Sequence, residues 1–119
     1  MANTAQHPED FLPLTPAEFH LMLVLAEDDM HGYGMMQAVK RQTGGAMTIG
    51  PGTLYGTIKR LLERGWIIEL DEREDNEGER RRYYRLGDFG GKVLRAEAGR
   101  LASLVDAARA AGLLPGGAS

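Results

Sequence analysis

The sequence predicts a mainly α fold with one small β-hairpin: a winged helix-turn-helix followed by a long C-terminal dimerisation helix. Three short helical patterns come first, two stretches of alternating residues follow at 66–70 and 82–86, and a long helical pattern closes the chain. Helix, helix, helix, hairpin and long helix is the order of a winged helix with a C-terminal arm. The expected division is 1–13 as a flexible extension, 14–87 as the winged domain, 88–112 as the dimerisation helix and 113–119 as a flexible tail.

The first helix has a clear start. Thr15, Pro16 and Glu18 supply a capping hydroxyl, a proline at the first helical position and an acid three residues after the cap. The segment 19–26 is apolar almost all the way round, so the helix needs cover on two sides. We expect a second subunit to provide one of these covers, with Phe19 and Met22 among its contacts.

Two more helices are predicted before the hairpin. The second runs from about Gly32 to Gln42, and an extended piece at 47–49 follows it. The third begins at 50–52 and ends at Gly65. One face of the third helix is apolar and belongs to the core; it carries Leu54, Ile58, Leu61 and Leu62.

The opposite face of the third helix carries small, hydroxyl-bearing and charged residues: Gly52, Thr53, Gly56, Lys59, Arg60 and Glu63, flanked by Tyr55 and Thr57. Small residues let a backbone approach closely, threonine can hydrogen bond to base edges, and cations neutralise phosphate. Such a face suits insertion into the major groove of DNA. An ordinary solvated helix face has a similar composition, so these residues alone leave both interpretations open.

The hairpin concentrates charge of both signs. Residues 69–79 hold seven acids and one base, a local charge of −6, so the rest of the chain sums to +3 for a total of −3. Arg80, Arg81 and Arg82 follow directly and could reach the phosphates beside the groove or enter a minor groove. They could equally balance the acids opposite them. We expect the acidic tip to point away from DNA or to be disordered.

The faces of the hairpin and of the last helix follow from their spacing. On the first strand Trp66, Ile68 and Leu70 are expected to share one face, which matches a face of the returning strand. The last helix, about 88–111, carries apolar residues at a 4-3-4-3 spacing, which is typical of a coiled-coil seam. We expect this seam to form the dimer interface through Leu94, Ala98, Leu101, Val105 and Ala108.

Several classes of function have no support in the sequence. The chain lacks cysteine, and its three histidines show no ligand spacing, so we expect neither a metal site nor a cofactor. The acids lie where nothing would desolvate them and tune their pKa values, and no nucleophile or phosphate-loop motif occurs, so we expect no enzyme. The longest apolar run, 21–26, is too short to span a membrane, and no secretory signal is visible. The prediction is a soluble, cytoplasmic protein.

Together these segments resemble the PadR family of bacterial transcriptional regulators, in its small form with a single C-terminal helix. The matching segments lie in order and at the family's spacing: 31–36 (HGYGMM), 50–55 (GPGTLY), 58–61 (IKRL), 63–67 (ERGWI) and 81–86 (RRYYRL) with Gly90. The resemblance implies a homodimer built on the first and last helices. It also implies a repressor that binds double-stranded DNA and is released by a small-molecule effector or by an inducer of stress. The two-fold symmetry of such a dimer requires a pseudo-palindromic operator.

The resemblance also implies which residues contact DNA, and the exposed face of the third helix adds Arg60 to them. The implied contacts are Tyr33, Thr48, Thr53, Tyr55, Lys59 and the wing residues Arg80 to Arg82. Two positions depart from the family. Gly87 stands where the last helix usually begins with threonine, so Asp88 is expected to cap that helix, and Gly56 stands where a bulkier residue is common.

Two alternatives remain besides a DNA-binding regulator. A winged-helix protein-interaction module would use the acidic wing to meet a basic partner and would bind no operator, because a fold does not fix its use. A ligand carrier would use a cavity in the dimer as its main function.

Overall fold

The computed structural model describes residues 6–116 and contains four α-helices and a small sheet. The elements are a 3-10 turn at Pro8–Phe11, α1 Pro16–Leu25, β1 Met30–His31, α2 Gly32–Gln42, α3 Pro51–Glu63, β2 Ile67–Glu74, β3 Arg80–Leu86 and α4 Asp88–Ala110. The strands are antiparallel in the order β1-β3-β2, so the two-residue β1 extends the predicted hairpin to three strands. The predicted winged helix-turn-helix is confirmed. The use of α4 in dimerisation stays a prediction.

The predicted N-terminal cap forms at α1 but not at α4. Thr15 and Glu18 form the predicted capping box at α1: the Thr15 hydroxyl accepts a hydrogen bond from Glu18 N, and the Glu18 carboxylate accepts one from Thr15 N. The expected cap of α4 is wrong, because Gly87 is the N-cap and Asp88 already lies in the first turn. A Cβ at position 87 would lie 3.2 Å from the carbonyl oxygen of Trp66. This close approach explains a glycine where a capping side chain is usual.

One hydrophobic core lies between the three short helices, the base of the sheet and the first half of α4. Met22 and Leu94, which the sequence placed in the dimer interface, belong to this core with 0% and 7% exposure. Gly90 lets α4 approach the turn that precedes β2, since a Cβ there would clash with the Trp66 carbonyl oxygen. The first half of α4 is therefore part of the winged domain itself.

Phe11, Leu12 and Leu14, just before α1, pack on this core, although the sequence predicts a flexible extension over 1–13. Residues 1–5 of that extension and residues 117–119 of the predicted flexible tail lie outside the described residues. The Phe11 ring meets Trp66 and Phe89 edge to face, with centroids 5.2 and 5.9 Å apart. Leu14 N donates a hydrogen bond of 2.8 Å to the buried Glu97 carboxylate. Hydrogen bonds from Arg100 hold the pKa of Glu97 below its ordinary value, so this acceptor stays charged.

The hairpin is longer than predicted, and its inward face is shifted by one residue. Trp66 still belongs to the turn that follows Gly65, whose φ is 74°, so β2 begins one residue later. Ile67 is therefore buried opposite Leu86, whereas Ile68 is 49% exposed. Because the strands reach Glu74 and resume at Arg80, only 75–79 form the tip.

The second half of α4 extends away from the core. Leu104 and Val105 are 54% and 39% exposed, and the helix ends just before Gly112, whose φ is 79°. Within residues 6–116, neither α4 nor another helix combines the length and apolar character that crossing a membrane requires.

Candidate nucleic-acid interface

The outward face of α3 carries the residue types that the sequence predicts. Thr53, Tyr55, Lys59 and Arg60 are exposed. Thr57, expected at the edge of this face, is instead fully buried, and its hydroxyl accepts a hydrogen bond from the Arg60 guanidinium. The exposed face is thus narrower than predicted.

Two glycines on this face are not required by the protein's own packing. A Cβ at Gly52 would meet nothing within 4 Å, and one at Gly56 would meet only the end of the Arg60 side chain at 4.0 Å. A glycine within a helix costs about 1 kcal/mol relative to alanine, so Gly56 lowers stability without any internal gain. The surface beside these glycines is open to a partner outside the chain.

Tyr33 and Tyr55 join the starts of α2 and α3 to the wing. The Tyr55 ring lies on Gly32, where a Cβ would be 3.1 to 3.3 Å from the ring atoms. The Arg81 guanidinium lies 5.6 Å from the centre of the Tyr33 ring. With Arg82, these side chains surround a small cavity of about 80 Å³. Four of the predicted DNA contacts, from three elements, therefore line one cavity.

A second depression, of about 460 Å³, connects Tyr33 with Thr48. Gln37, Lys40 and Arg41 also line it, and none of the three is among the DNA contacts predicted from the sequence. Their spacing from Tyr33 of four, seven and eight residues places all of them on one face of α2. That spacing is the signal that could have found them.

The three wing arginines do not point the same way. Successive residues of a strand face opposite sides, so Arg80 and Arg82 lie on one face of β3 and Arg81 on the other. The Glu72 carboxylate lies between Arg80 and Arg82, with Oε1 3.7 Å from Arg80 Nε and Oε2 3.6 Å from Arg82 Nη2. Glu69 Oε2 lies 3.6 Å from Arg82 Nε. The balancing of acids by arginines that the sequence left open is thus present.

Arg81 belongs to a different and tighter cluster at the wing tip. Its Nε donates a hydrogen bond of 3.1 Å to Asp75, which also accepts bonds from the backbone N–H groups of Glu77 and Glu79. Burial alone raises the pKa of Asp75, but these bonds outweigh burial and hold the pKa below its ordinary value. His31 Nε2 lies 4.0 Å from the same carboxylate. The tip therefore forms a turn beside the start of α2. Its direction relative to DNA stays a prediction.

Arg60 is oriented away from the rest of the interface. Its Nε lies 3.8 Å from Glu18, which also accepts a hydrogen bond of 2.9 Å from Arg64. Arg60 would have to leave Glu18 in order to contact DNA, and its assignment as a contact stays a prediction. In the described residues 6–116, no three acidic or histidine side chains are grouped so as to hold a metal ion.

His31 makes the stability of this interface depend on pH. Its Nδ1 accepts a hydrogen bond of 2.9 Å from Gly34 N and so caps α2, which requires a neutral ring. Burial, with a smaller effect of the Arg81 charge, lowers the pKa of His31 below its ordinary value of 6.5. Since the folded pKa is depressed, the stabilisation is present above pH 6.5 and is lost as the pH falls through the folded pKa.

We therefore expect the unfolding free energy to fall on acidification from about pH 7 to about pH 5 by about 1 kcal/mol more than in His31→Asn, the typical worth of an N-cap. Asparagine caps a helix without titrating, and the comparison cancels the other histidines. Denaturant titrations of both proteins across this range measure the difference. Parallel pH profiles would show that the His31 cap does not control stability.

A winged domain whose third helix exposes hydroxyl, small and basic residues is typical of winged-helix transcriptional regulators. The family described as "Transcriptional regulator PadR-like family" matches residues 21–96, and the chain belongs to this family. The resemblance found in the sequence is confirmed. The family consists of regulators rather than enzymes.

Solved structures and curated relatives agree with this assignment. The fold is similar to a PadR family transcription regulator from Clostridium difficile R20291 (TM-score 0.69, 21% identity, 80% of this chain and 96% of that chain). It is also similar to Bacillus subtilis PadR in complex with operator DNA (TM-score 0.60, 19% identity, 71% and 47%). The Escherichia coli K12 transcriptional regulator YqjI is 37% identical over 49 residues, which cover 41% of this chain and 24% of that protein. The chain spans between 24% and 63% of the length of the curated relatives it matches.

Proposed function

We propose that this protein is a sequence-specific DNA-binding regulator that acts as a homodimer and represses transcription until an effector releases it. The observation that supports DNA binding is the cavity that Tyr33, Tyr55, Arg81 and Arg82 line together, next to the open glycine face of α3. The fold's similarity to a PadR protein in complex with operator DNA supports the same proposal.

Different residues of α3 are proposed to read the DNA bases and to position the protein on the phosphates. Thr53 and Tyr55 lie in the first turns of α3, where a recognition helix meets base edges. Lys59 lies further along the helix, where a long cation meets phosphate. Lys40 and Arg41 add charge beside Thr48 and extend the phosphate-binding surface toward α2.

The exposed half of α4 supports a homodimer. Its apolar face includes Leu101, Leu104 and Val105, with Ala108 one turn further along. A helical segment of about ten residues without tertiary contacts is marginally stable in water, so this face needs cover. A second copy supplies it, with Phe19 of α1 at the edge. The proposed interface excludes Met22 and Leu94, which each protomer buries internally.

Two-fold symmetry then determines the form of the operator. An isologous dimer presents its two α3 helices to a pseudo-palindromic duplex, with half-sites about one helical turn, roughly 34–36 Å, apart. Bound across a promoter, the dimer would block transcription.

The proposed effector has a candidate position near the dimer surface. An open cavity of about 640 Å³ lies between α1, β3 and α4, with apolar walls at Leu86 and Leu94 and charged groups of both signs, among them Asp29 and Arg85. This size is within the range of small-molecule sites. A ligand there would touch both the wing and the helix that sets the spacing of the dimer.

Two alanine variants test the division between positioning and reading. Lys59→Ala should weaken binding to an operator and to a scrambled duplex alike and lower the salt slope by about one, because it removes one phosphate contact. Thr53→Ala should weaken binding to the operator by about 1–3 kcal/mol more than binding to the scrambled duplex, because the lost hydroxyl is proposed to contact a base. The operator is selected from a random duplex pool, and both duplexes are titrated at two salt concentrations.

Lys92→Ala is the matched control, since it removes the same charge from the start of α4, away from this surface. If Lys59→Ala and Thr53→Ala both behave like the control on both duplexes, α3 does not enter DNA. The protein-interaction module then becomes the better proposal.

A further inference from the structure

The wing holds two of its arginines against its own carboxylates. Arg82 and Arg80 share Glu72 at 3.6 and 3.7 Å, and Arg82 also approaches Glu69 at 3.6 Å. Register explains the arrangement, because Glu72 pairs directly with Arg82 across the two strands. The seven acids of the wing are thus not a separate acidic patch, since some of them occupy the guanidinium groups that would face phosphate.

These pairs are loose, unlike the pair at the wing tip. All four side chains are about half exposed, from 44% for Glu69 to 63% for Arg80, and no hydrogen bond joins a guanidinium to a carboxylate among them. The one side-chain hydrogen bond among these four residues runs from Arg80 Nη2 to the backbone oxygen of Glu72, at 3.4 Å. The Asp75 side chain, by contrast, is 8% exposed and hydrogen bonded to Arg81. Exposed pairs contribute little to folding and exchange partners readily. Arg80 and Arg82 can therefore be released, whereas Arg81 is fixed.

We infer that Glu69 and Glu72 are internal competitors of DNA phosphate for Arg80 and Arg82, and so set the affinity of the wing for duplex DNA. This inference rests on the proposed DNA-binding function. A phosphate group offers a guanidinium the same anionic oxygens as a carboxylate, so each phosphate contact by these arginines replaces or opposes a contact with glutamate.

The competition weakens sequence-independent binding. Non-specific binding depends almost entirely on phosphate contacts. A glutamate that weakens an arginine–phosphate contact therefore lowers the affinity for random DNA. An arginine already neutralised by Glu72 also displaces fewer counterions from the duplex, so the salt dependence of binding becomes shallower. On the operator the same competition is a smaller part of the total affinity, because α3 adds base contacts there.

Glu72→Gln is the central test. It keeps the size of the side chain and removes the charge between Arg80 and Arg82. We expect it to bind a scrambled duplex about two- to fivefold more tightly than the unmodified protein, the range that one exposed ion pair represents, and to show a steeper salt dependence. Fluorescence anisotropy at several salt concentrations measures both quantities. Glu69→Gln, which contacts only Arg82, should give a smaller gain and serves as a second variant if Glu72→Gln does not fold.

Glu77→Gln is the matched control, because it removes the same charge from the same hairpin and Glu77 takes part in none of the ion pairs of residues 6–116. In a protein that already carries Arg80→Ala and Arg82→Ala, the gain from Glu72→Gln should disappear. Equal gains from Glu72→Gln and Glu77→Gln, in proteins that bind duplex DNA, would overturn the competition and leave the proposed function intact. Absence of duplex binding by the unmodified protein and all variants at low salt would overturn both.

Discussion

Leu101→Asp is expected to convert the homodimer into a monomer and to abolish operator binding. Leu101 lies on the apolar face of the projecting half of α4, together with Val105 and Ala108. In the proposed interface the new carboxylate would be buried without a partner, which costs several kcal/mol. Operator binding should fall with it, because two linked half-sites bind far more tightly than either alone.

Ser103→Asp provides the matched control. Ser103 lies two residues further along α4, on the opposite side of the helix, and is exposed. It should remain dimeric and bind the operator normally. Sedimentation measures the oligomeric state, and circular dichroism checks that both variants fold. If Leu101→Asp sediments as a dimer, the projecting half of α4 is not the main interface.

The features that the sequence predicts well depend on residues close together in the chain. The bounds of α2 agree from Gly32 to Gln42, and the capping box of Thr15 and Glu18 forms as expected. The residue types on the outward face of α3 follow from helical periodicity alone. Each of these rests on spacings of three or four residues, which the sequence shows directly.

The features that it misses depend on contacts between distant segments. Phe11 is a single aromatic in a polar segment, and only the folded chain brings it to Trp66. The inward face of β2 shifts because the turn at Gly65 keeps Trp66 out of the strand. Gly87 cannot be recognised as the cap of α4 until the Trp66 carbonyl is seen beside it.

In the candidate site, too, the sequence shows which residues are present but not which distant residues they contact. The sequence identifies three basic residues on the wing, but only the strand register shows that they alternate between two faces and meet different carboxylates. The sequence likewise identifies Arg60 as a cation on α3. It does not indicate that Arg60 forms an ion pair with Glu18, which lies 42 positions earlier in the chain. Charge can be located from sequence, whereas the partner of each charge requires the fold.

Gly56→Leu is expected to make the protein more stable and to reduce operator affinity on the order of 100-fold. Leucine is favoured over glycine in a helix by about 0.8–1 kcal/mol, and the space beside position 56 holds only the flexible end of Arg60. The same side chain would stand between α3 and the floor of the major groove. Direct base contacts, each worth about 1–3 kcal/mol, would then be lost.

Gly99→Leu separates the two effects. A Cβ at Gly99, on α4, meets nothing within 4 Å, so this change should bring a similar gain in stability. It lies outside the DNA surface and should leave operator affinity unchanged. Thermal denaturation and operator titration of both variants give the comparison. Opposite signs for stability and binding in Gly56→Leu alone would show that glycine is retained there for close approach to DNA. Equal operator affinity in the two variants would instead place the DNA surface elsewhere than on α3.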